Sequence, residues 1–94
     1  MVEYISMKNR SRVDIISQIL RIASAEDDAG GIKRTKIIYK AFLSYTQLKE
    51  YLSMLLESGL LEYDQKTAKY KTTEKGRRLL KTYTQMGQAI KLEV

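Results

Sequence analysis

The chain has 94 residues with 17 Lys and Arg against 11 Asp and Glu, a net charge of +6, and its 44% hydrophobic and 30% charged residues are ordinary for one small globular domain. The absence of histidine and cysteine excludes a Ser-His-Asp triad, a cysteine nucleophile, a disulfide and an ordinary zinc site. The positive charge favours polyanionic partners such as nucleic acid or an acidic membrane surface.

The apolar runs of the chain are short. Examples are Ala41–Leu43 and Met54–Leu56, whereas a membrane span needs roughly 20 apolar residues. Residues 1–5 contain Glu3 and no long apolar segment, so no secretory signal is visible. We therefore expect a cytoplasmic protein without a membrane partner.

A helical pattern of apolar residues begins after Ser11. Residues 1–10 show no sustained period, which predicts a flexible arm. Ser11 and Asp14 then have the spacing of an N-cap arrangement, and a helix should follow and end near Ala25. Its polar half carries Asp14, Ser17, Gln18 and Arg21, and its apolar half carries Val13, Ile15, Ile16, Ile19, Leu20, Ile22 and Ala23.

A loop and a second, basic helix come next. We interpret Glu26, Asp27 and Asp28 as a solvated loop that the paired glycines 30–31 terminate. The second helix should cover residues 33–41, with its apolar residues turned inward. Its outward residues include no acid and are mostly basic, namely Lys33, Arg34, Lys36 and Lys40.

The third helix has the clearest start signal in the chain. Ser44 and Gln47 form a capping box, in which each side chain bonds the backbone N–H of the other residue. Leu43 and Leu48 stand at the two positions of a hydrophobic staple. The inward face should be Leu48, Tyr51, Leu52, Leu55 and Leu56, and Gly59 should end the helix.

After Gly59 the hydrophobic period shifts toward two, which predicts a small β-hairpin. Residues 60–63 and 68–71 form its strands around a polar turn at residues 64–67. Thr73 can then cap a closing helix. That helix carries a short heptad-like seam of Leu79, Tyr83, Met86 and Ile90.

Three helices, a two-stranded hairpin and a closing helix, in this order, predict a mainly helical α+β fold of the winged helix-turn-helix type. We divide the chain into a flexible arm at residues 1–10 and a winged helix-turn-helix domain at residues 11–81. Residues 82–94 extend the closing helix and form a candidate dimerisation segment.

Three stretches of this order resemble the small archaeal winged-helix DNA-binding proteins, whose core is related to that of the chromatin-associated dimers of thermophilic archaea. The stretches are Lys33–Tyr45, Leu52–Leu61 and Thr73–Gly76, and the resemblance covers about residues 11–81. It implies a winged-helix fold and DNA binding. The archaeal dimers pair through a long antiparallel C-terminal coiled coil, whereas here only residues 81–94 follow the shared core, interrupted by Gly87.

A helix that reads bases in the major groove needs a fixed first turn, a buried side and an outer side with hydrogen-bonding groups. The third helix meets these demands. Our candidates for base reading are Tyr45, Thr46, Gln47, Lys49 and Ser53. For each of them the alternative is the ordinary polar face of a structural helix.

Phosphate contacts need only clustered positive charge. The second helix would flank the groove, and the hairpin would act as a wing on the backbone or the adjacent minor groove. The candidates are Lys33, Arg34, Lys36, Lys40, Lys66, Lys69, Lys71, Arg77 and Arg78. The alternative for any one of them is a surface charge that serves solubility.

For the seam on the closing helix, two interpretations stay open. It can pack back onto the first helix of its own domain, or it can form a homodimer that reads two half-sites. The composition requires no cofactor and no metal.

The sequence leaves three classes of function to compare. The favoured one is double-stranded DNA binding, as a transcription regulator or a nucleoid-associated, chromatin-like protein. The second is a winged-helix protein–protein interaction module in a nucleic-acid complex, for which exposed apolar anchors would be expected. An enzyme is not predicted, because the acids show no convergent arrangement and Gly30-Gly31 is not followed by a phosphate-binding Gly-Lys-Ser/Thr sequence.

Overall fold

The computed structural model of the chain describes residues 10–93, with side chains described as far as residue 86. Four α-helices lie within this range: α1 Arg12–Ser24, α2 Arg34–Ala41, α3 Tyr45–Glu57 and α4 Glu74–Glu93. A 3-10 turn, Asp27–Ala29, precedes α2, and the strands β1 Leu61–Asp64 and β2 Lys69–Thr72 lie between α3 and α4. The predicted α+β fold and the order of its elements are confirmed. Residues 1–9 of the predicted arm lie outside the described residues.

Helix α1 begins with the predicted cap. The Ser11 hydroxyl accepts from the backbone N–H of Asp14 at 3.1 Å, and the Asp14 carboxylate accepts from the backbone N–H of Ser11 at 3.2 Å. Two predicted positions on this helix are wrong: Ser17 is only 5% exposed and Val13 is 54% exposed. The inward face is rotated because α4 packs against α1, which covers Ser17, and the Ser17 hydroxyl is satisfied by donating to the Asp14 carbonyl at 3.0 Å.

The core lies where α1, α2 and α3 meet. It consists of buried aliphatic side chains, namely Ile19, Leu20, Ala23, Ile32, Ile37, Ala41, Leu43, Leu48, Leu52, Leu55 and Leu61. Both residues of the predicted hydrophobic staple belong to this core, and the capping box of Ser44 and Gln47 is present in full. The direction of α3 is therefore fixed by burial of one side and by hydrogen bonds at its first turn.

The hairpin is antiparallel, with pairs running from Leu61 opposite Thr72 to Asp64 opposite Lys69. An additional bridge joins it to the chain before α2: Ile32 donates to the Tyr70 carbonyl at 2.9 Å, and Tyr70 donates to the Ile32 carbonyl at 2.8 Å. No local sequence pattern indicates this pairing. Gly31 permits it, because a Cβ at this position would lie 2.6 Å from the Tyr70 carbonyl oxygen. The bridge holds the hairpin beside the start of α2.

Helix α4 is capped by Thr73, whose hydroxyl accepts from the backbone N–H of Gly76 at 3.1 Å. Tyr83 is half-buried, and its hydroxyl donates to the Asp14 carboxylate near the start of α1. Of the remaining seam residues, Leu79 is 44% and Met86 60% exposed, and the side chain of Ile90 lies outside the described residues. Among the described helices, none has the length and apolar character needed to cross a membrane.

Candidate nucleic-acid interface

The exposed side of α3 holds all five residues predicted to read bases. Tyr45 is 51% exposed, and Thr46, Gln47, Lys49 and Ser53 are exposed as well. The Gln47 side-chain oxygen is committed to the cap, where it accepts from the Ser44 backbone N–H at 3.0 Å. Its NH₂ group is free to donate to another partner, whereas the orientation of its oxygen is fixed by the cap.

The first turns of α2 and α3 are joined by an aromatic contact. The guanidinium carbon of Arg34 lies 5.0 Å from the centre of the Tyr45 ring, which is a cation–π distance. Arg34 also lines a cleft between α2 and the hairpin, together with Lys33, Thr35, Tyr63, Ala68 and Tyr70. Two helix starts and the hairpin therefore meet at one place, which we call the stacked cluster, defined by Arg34, Tyr45, Tyr63 and Tyr70.

Two tyrosine rings of the hairpin lie close together. The ring centres of Tyr63 and Tyr70 lie 4.8 Å apart. Burial, followed by the influence of Tyr63, raises the pKa of Tyr70 above its usual value of 10.0, and Arg34 acts in the opposite direction. At neutral pH the Tyr70 hydroxyl is therefore protonated.

The tip of the hairpin has mixed charge. Lys66 and Lys71 line a second cleft with Glu62 and Asp64. The Asp64 carboxylate accepts from the backbone N–H of Lys66 at 2.9 Å, which stabilises the turn. In the described part of the chain, no ion pair involves either of these lysines.

A different group of predicted phosphate contacts surrounds the loop of residues 26–29. Lys36 lies 3.2 Å and Lys40 3.8 Å from the Glu26 carboxylate. Arg77 pairs with Asp27 at 2.9 Å, and Lys69 donates to the Ala29 carbonyl at 2.7 Å. We call this arrangement the neutralised cluster, defined by these basic residues and the loop. The expectation of a solvated acidic loop is wrong for Glu26 and Asp27, because tertiary packing brings basic residues from two helices to them, whereas Asp28 is exposed.

Arg78 belongs to neither cluster. It pairs with Glu74 one helical turn away at 3.8 Å, with both side chains highly exposed, and it lines a cleft with Ser58 and Leu60. The structure thus divides the predicted phosphate contacts among separate places. Among the predicted phosphate contacts, Arg34 lies against Tyr45 in the first turn of α3, and Lys33 lines the same cleft as Arg34.

Arg10 stabilises the turn between α2 and α3, a role that the sequence did not reveal. Its guanidinium donates to the carbonyls of Ala41 at 2.5 Å and Phe42 at 3.1 Å, and to the Gln18 side chain at 2.6 Å. These bonds hold the turn between α2 and α3, where Phe42 has a φ of +54°. The partners are too distant in sequence for a local pattern to indicate them.

Comparison with known families gives one result that covers nearly the whole chain. A family model described as winged helix-turn-helix matches residues 9–91. No curated protein matches the chain. Among the described residues, no group of His, Cys, Asp or Glu is arranged to hold a metal ion.

Proposed function

The chain belongs to the winged helix-turn-helix family, and on that premise we propose that it is a double-stranded DNA-binding protein that acts as a transcription regulator or a chromatin-like protein. A winged helix-turn-helix domain indicates DNA binding in general, and such domains are typically not enzymes. Association with the nucleoid would follow from this function.

The observation that carries the proposal is the exposed, capped start of α3 beside Arg34 and the hairpin. In the proposed complex, α3 enters the major groove with Tyr45, Thr46, Gln47, Lys49 and Ser53 toward the bases. Lys33 and Arg34 contact phosphates beside the groove, and the hairpin lies on the backbone or the adjacent minor groove through Lys66 and Lys71. The other predicted phosphate contacts already have protein partners and are secondary.

A homodimer through α4 completes the proposal, because two copies would read two half-sites. The exposure of Leu79 and Met86 supports this. Tyr83, by contrast, makes a contact within its own domain, as the other interpretation of the seam expects. We therefore assign self-association to the outer residues of the seam.

The test is fluorescence anisotropy of a labelled random-sequence duplex of about 30 base pairs across a salt series. Each phosphate contact contributes roughly −0.9 to the slope of log K against log salt, so contacts from Lys33, Arg34, Lys66 and Lys71 give a slope of about −4. Absence of binding at low salt would contradict the proposal.

Substitution at α3 separates base reading from phosphate contact. Thr46→Ala should change the ranking of duplexes drawn from a randomised pool, with about 1–3 kcal/mol of discrimination lost at one base position. Lys33→Gln serves as the control and should weaken all duplexes alike. An unchanged ranking for Thr46→Ala would remove this residue from the base-reading set.

A protein–protein interaction module is the second candidate, favoured by two exposed aromatic side chains. Tyr39 is 81% and Phe42 62% exposed at the end of α2, and exposed aromatic residues are common anchors of protein interfaces. If the random duplex does not bind at low salt, this surface becomes the leading candidate for function.

A further inference from the structure

Glu26 occupies a central position in the neutralised cluster. Its two carboxylate oxygens face Lys36 at 3.2 Å and Lys40 at 3.8 Å, and these lysines are neighbours on one face of α2 because they are four residues apart. The Glu26 side chain is 22% exposed, against 53% and 45% for the two lysines. The Glu26 side chain is therefore more buried than the side chains of Lys36 and Lys40, which remain accessible to solvent.

A carboxylate at this distance binds an ammonium group in the same way as a DNA phosphate does. Both are anions that accept charge-assisted hydrogen bonds from an ammonium group. The Asp27 carboxylate likewise accepts from the Arg77 guanidinium at 2.9 Å. In the described part of the chain, Lys33 and Arg34 have no such ion pair, although they lie at the start of the helix that carries Lys36 and Lys40.

We propose that Glu26 sets the strength of DNA binding, because it lowers sequence-independent affinity by competing with DNA phosphates for Lys36 and Lys40. The proposal rests on the proposed DNA-binding function. Exposed ion pairs are weak, so each one lowers phosphate binding by no more than about five-fold. The competition is graded and salt-dependent, and DNA can displace the carboxylate when α3 also makes base contacts.

The benefit is weaker retention on non-specific DNA. A genome offers a large excess of non-specific sites, so weaker sequence-independent binding leaves more of the protein free to reach other sites. Removing part of the phosphate attraction lowers binding to every sequence, and the base contacts of α3 are left intact. The acidic loop and the base-reading helix thus act on two different parts of the binding free energy.

The experiment compares Glu26→Gln with Asp28→Asn in the full chain. Both substitutions remove one negative charge from the same loop, but Asp28 is exposed and makes no ion pair in the described part of the chain. For the random duplex of about 30 base pairs at low salt, Glu26→Gln should tighten binding about five- to ten-fold and steepen the salt slope by about 1–2, because one or two more phosphates are neutralised. Asp28→Asn should change affinity less than about two-fold. Equal effects of the two substitutions would overturn the proposal.

A double-mutant cycle with Lys36→Gln tests the direct connection. In the wild-type chain Lys36→Gln should weaken binding less than about two-fold, whereas in the Glu26→Gln background it should weaken binding about five-fold. Lys36→Gln alone remains informative if Glu26→Gln fails to fold, because a loss as large as that of Lys33→Gln would contradict the competition. If the wild-type chain itself does not bind the duplex, it is the DNA-binding function that has failed.

Discussion

An arginine in the stacked cluster and an arginine in the neutralised cluster differ in whether a carboxylate compensates the charge. In the stacked cluster, Arg34 lies over an aromatic ring, and its charge remains available to a ligand. In the neutralised cluster, Arg77 is held by Asp27 and by the Thr72 carbonyl at 3.1 Å. A count of basic residues therefore overstates the surface that can attract DNA, because part of the charge is compensated within the protein.

The largest effect is expected where the two clusters meet, at Gly31. Its φ is +116°, and a Cβ would lie 2.6 Å from the Tyr70 carbonyl oxygen and 2.8 Å from Cγ of Lys71. Gly31→Ala should lower the free energy of unfolding by about 3 kcal/mol, from overpacking and backbone strain together. The corresponding fall in Tm is roughly 10–20 °C, measurable by circular dichroism.

Gly30→Ala is the matched control for Gly31→Ala. Gly30 also has a positive φ, +81°, but its Cβ would meet nothing within 4 Å. Only the backbone penalty remains, about 1 kcal/mol. Equal losses at the two glycines would show that the bridge between Ile32 and Tyr70 contributes little to stability.

The two arginines give the next contrast. Arg34→Gln should weaken binding to random duplex about ten-fold, since a charge-assisted phosphate contact is worth roughly 1.5 kcal/mol. Arg77→Gln should change this affinity less than about two-fold, because Arg77 is engaged by Asp27. Anisotropy at one fixed salt concentration measures both. A greater loss for Arg77→Gln would reverse the assignment of the two clusters.

The smallest effect concerns a contact outside both clusters. Hydrogen bonds, first from Tyr83 and then from Ser11, hold the pKa of Asp14 below its ordinary value of 3.8. Because the folded-state pKa is the lower one, the stabilisation is complete above roughly pH 4 and is lost as the pH falls through the folded-state pKa. Tyr83→Phe should therefore make stability less sensitive to acid below roughly pH 4, as measured by urea unfolding.

The control for this contact is Tyr51→Phe, because Tyr51 is also half-buried and lies against Arg12 with 5.5 Å between the guanidinium carbon and the ring centre. It should leave the dependence on acid unchanged. DNA affinity should be unchanged for Tyr83→Phe, since neither cluster is touched. If Tyr83→Phe retained the full acid sensitivity of the wild-type chain, the contact with Asp14 would not account for it.

Local signals predicted most of the fold. The caps at Ser11, Ser44 and Thr73 are contacts between residues three positions apart, so the sequence carries all the information that they need. The inward face of α3 follows from its period in the same way. The predicted inward face of α1 was partly wrong, because burial of Ser17 depends on the position of α4 against α1, which is not a local property.

For the candidate site, the sequence by itself determined which residues stand on the exposed face of α3 and on which elements the basic residues lie. Only the tertiary structure decided which of these charges are compensated. Glu26 and Lys36 are ten positions apart, Arg77 and Asp27 fifty, and Arg10 and Ala41 thirty-one. Periodicity and capping act over three or four residues, whereas Coulomb attraction and hydrogen bonding depend on distance in space, which the packing of the core sets.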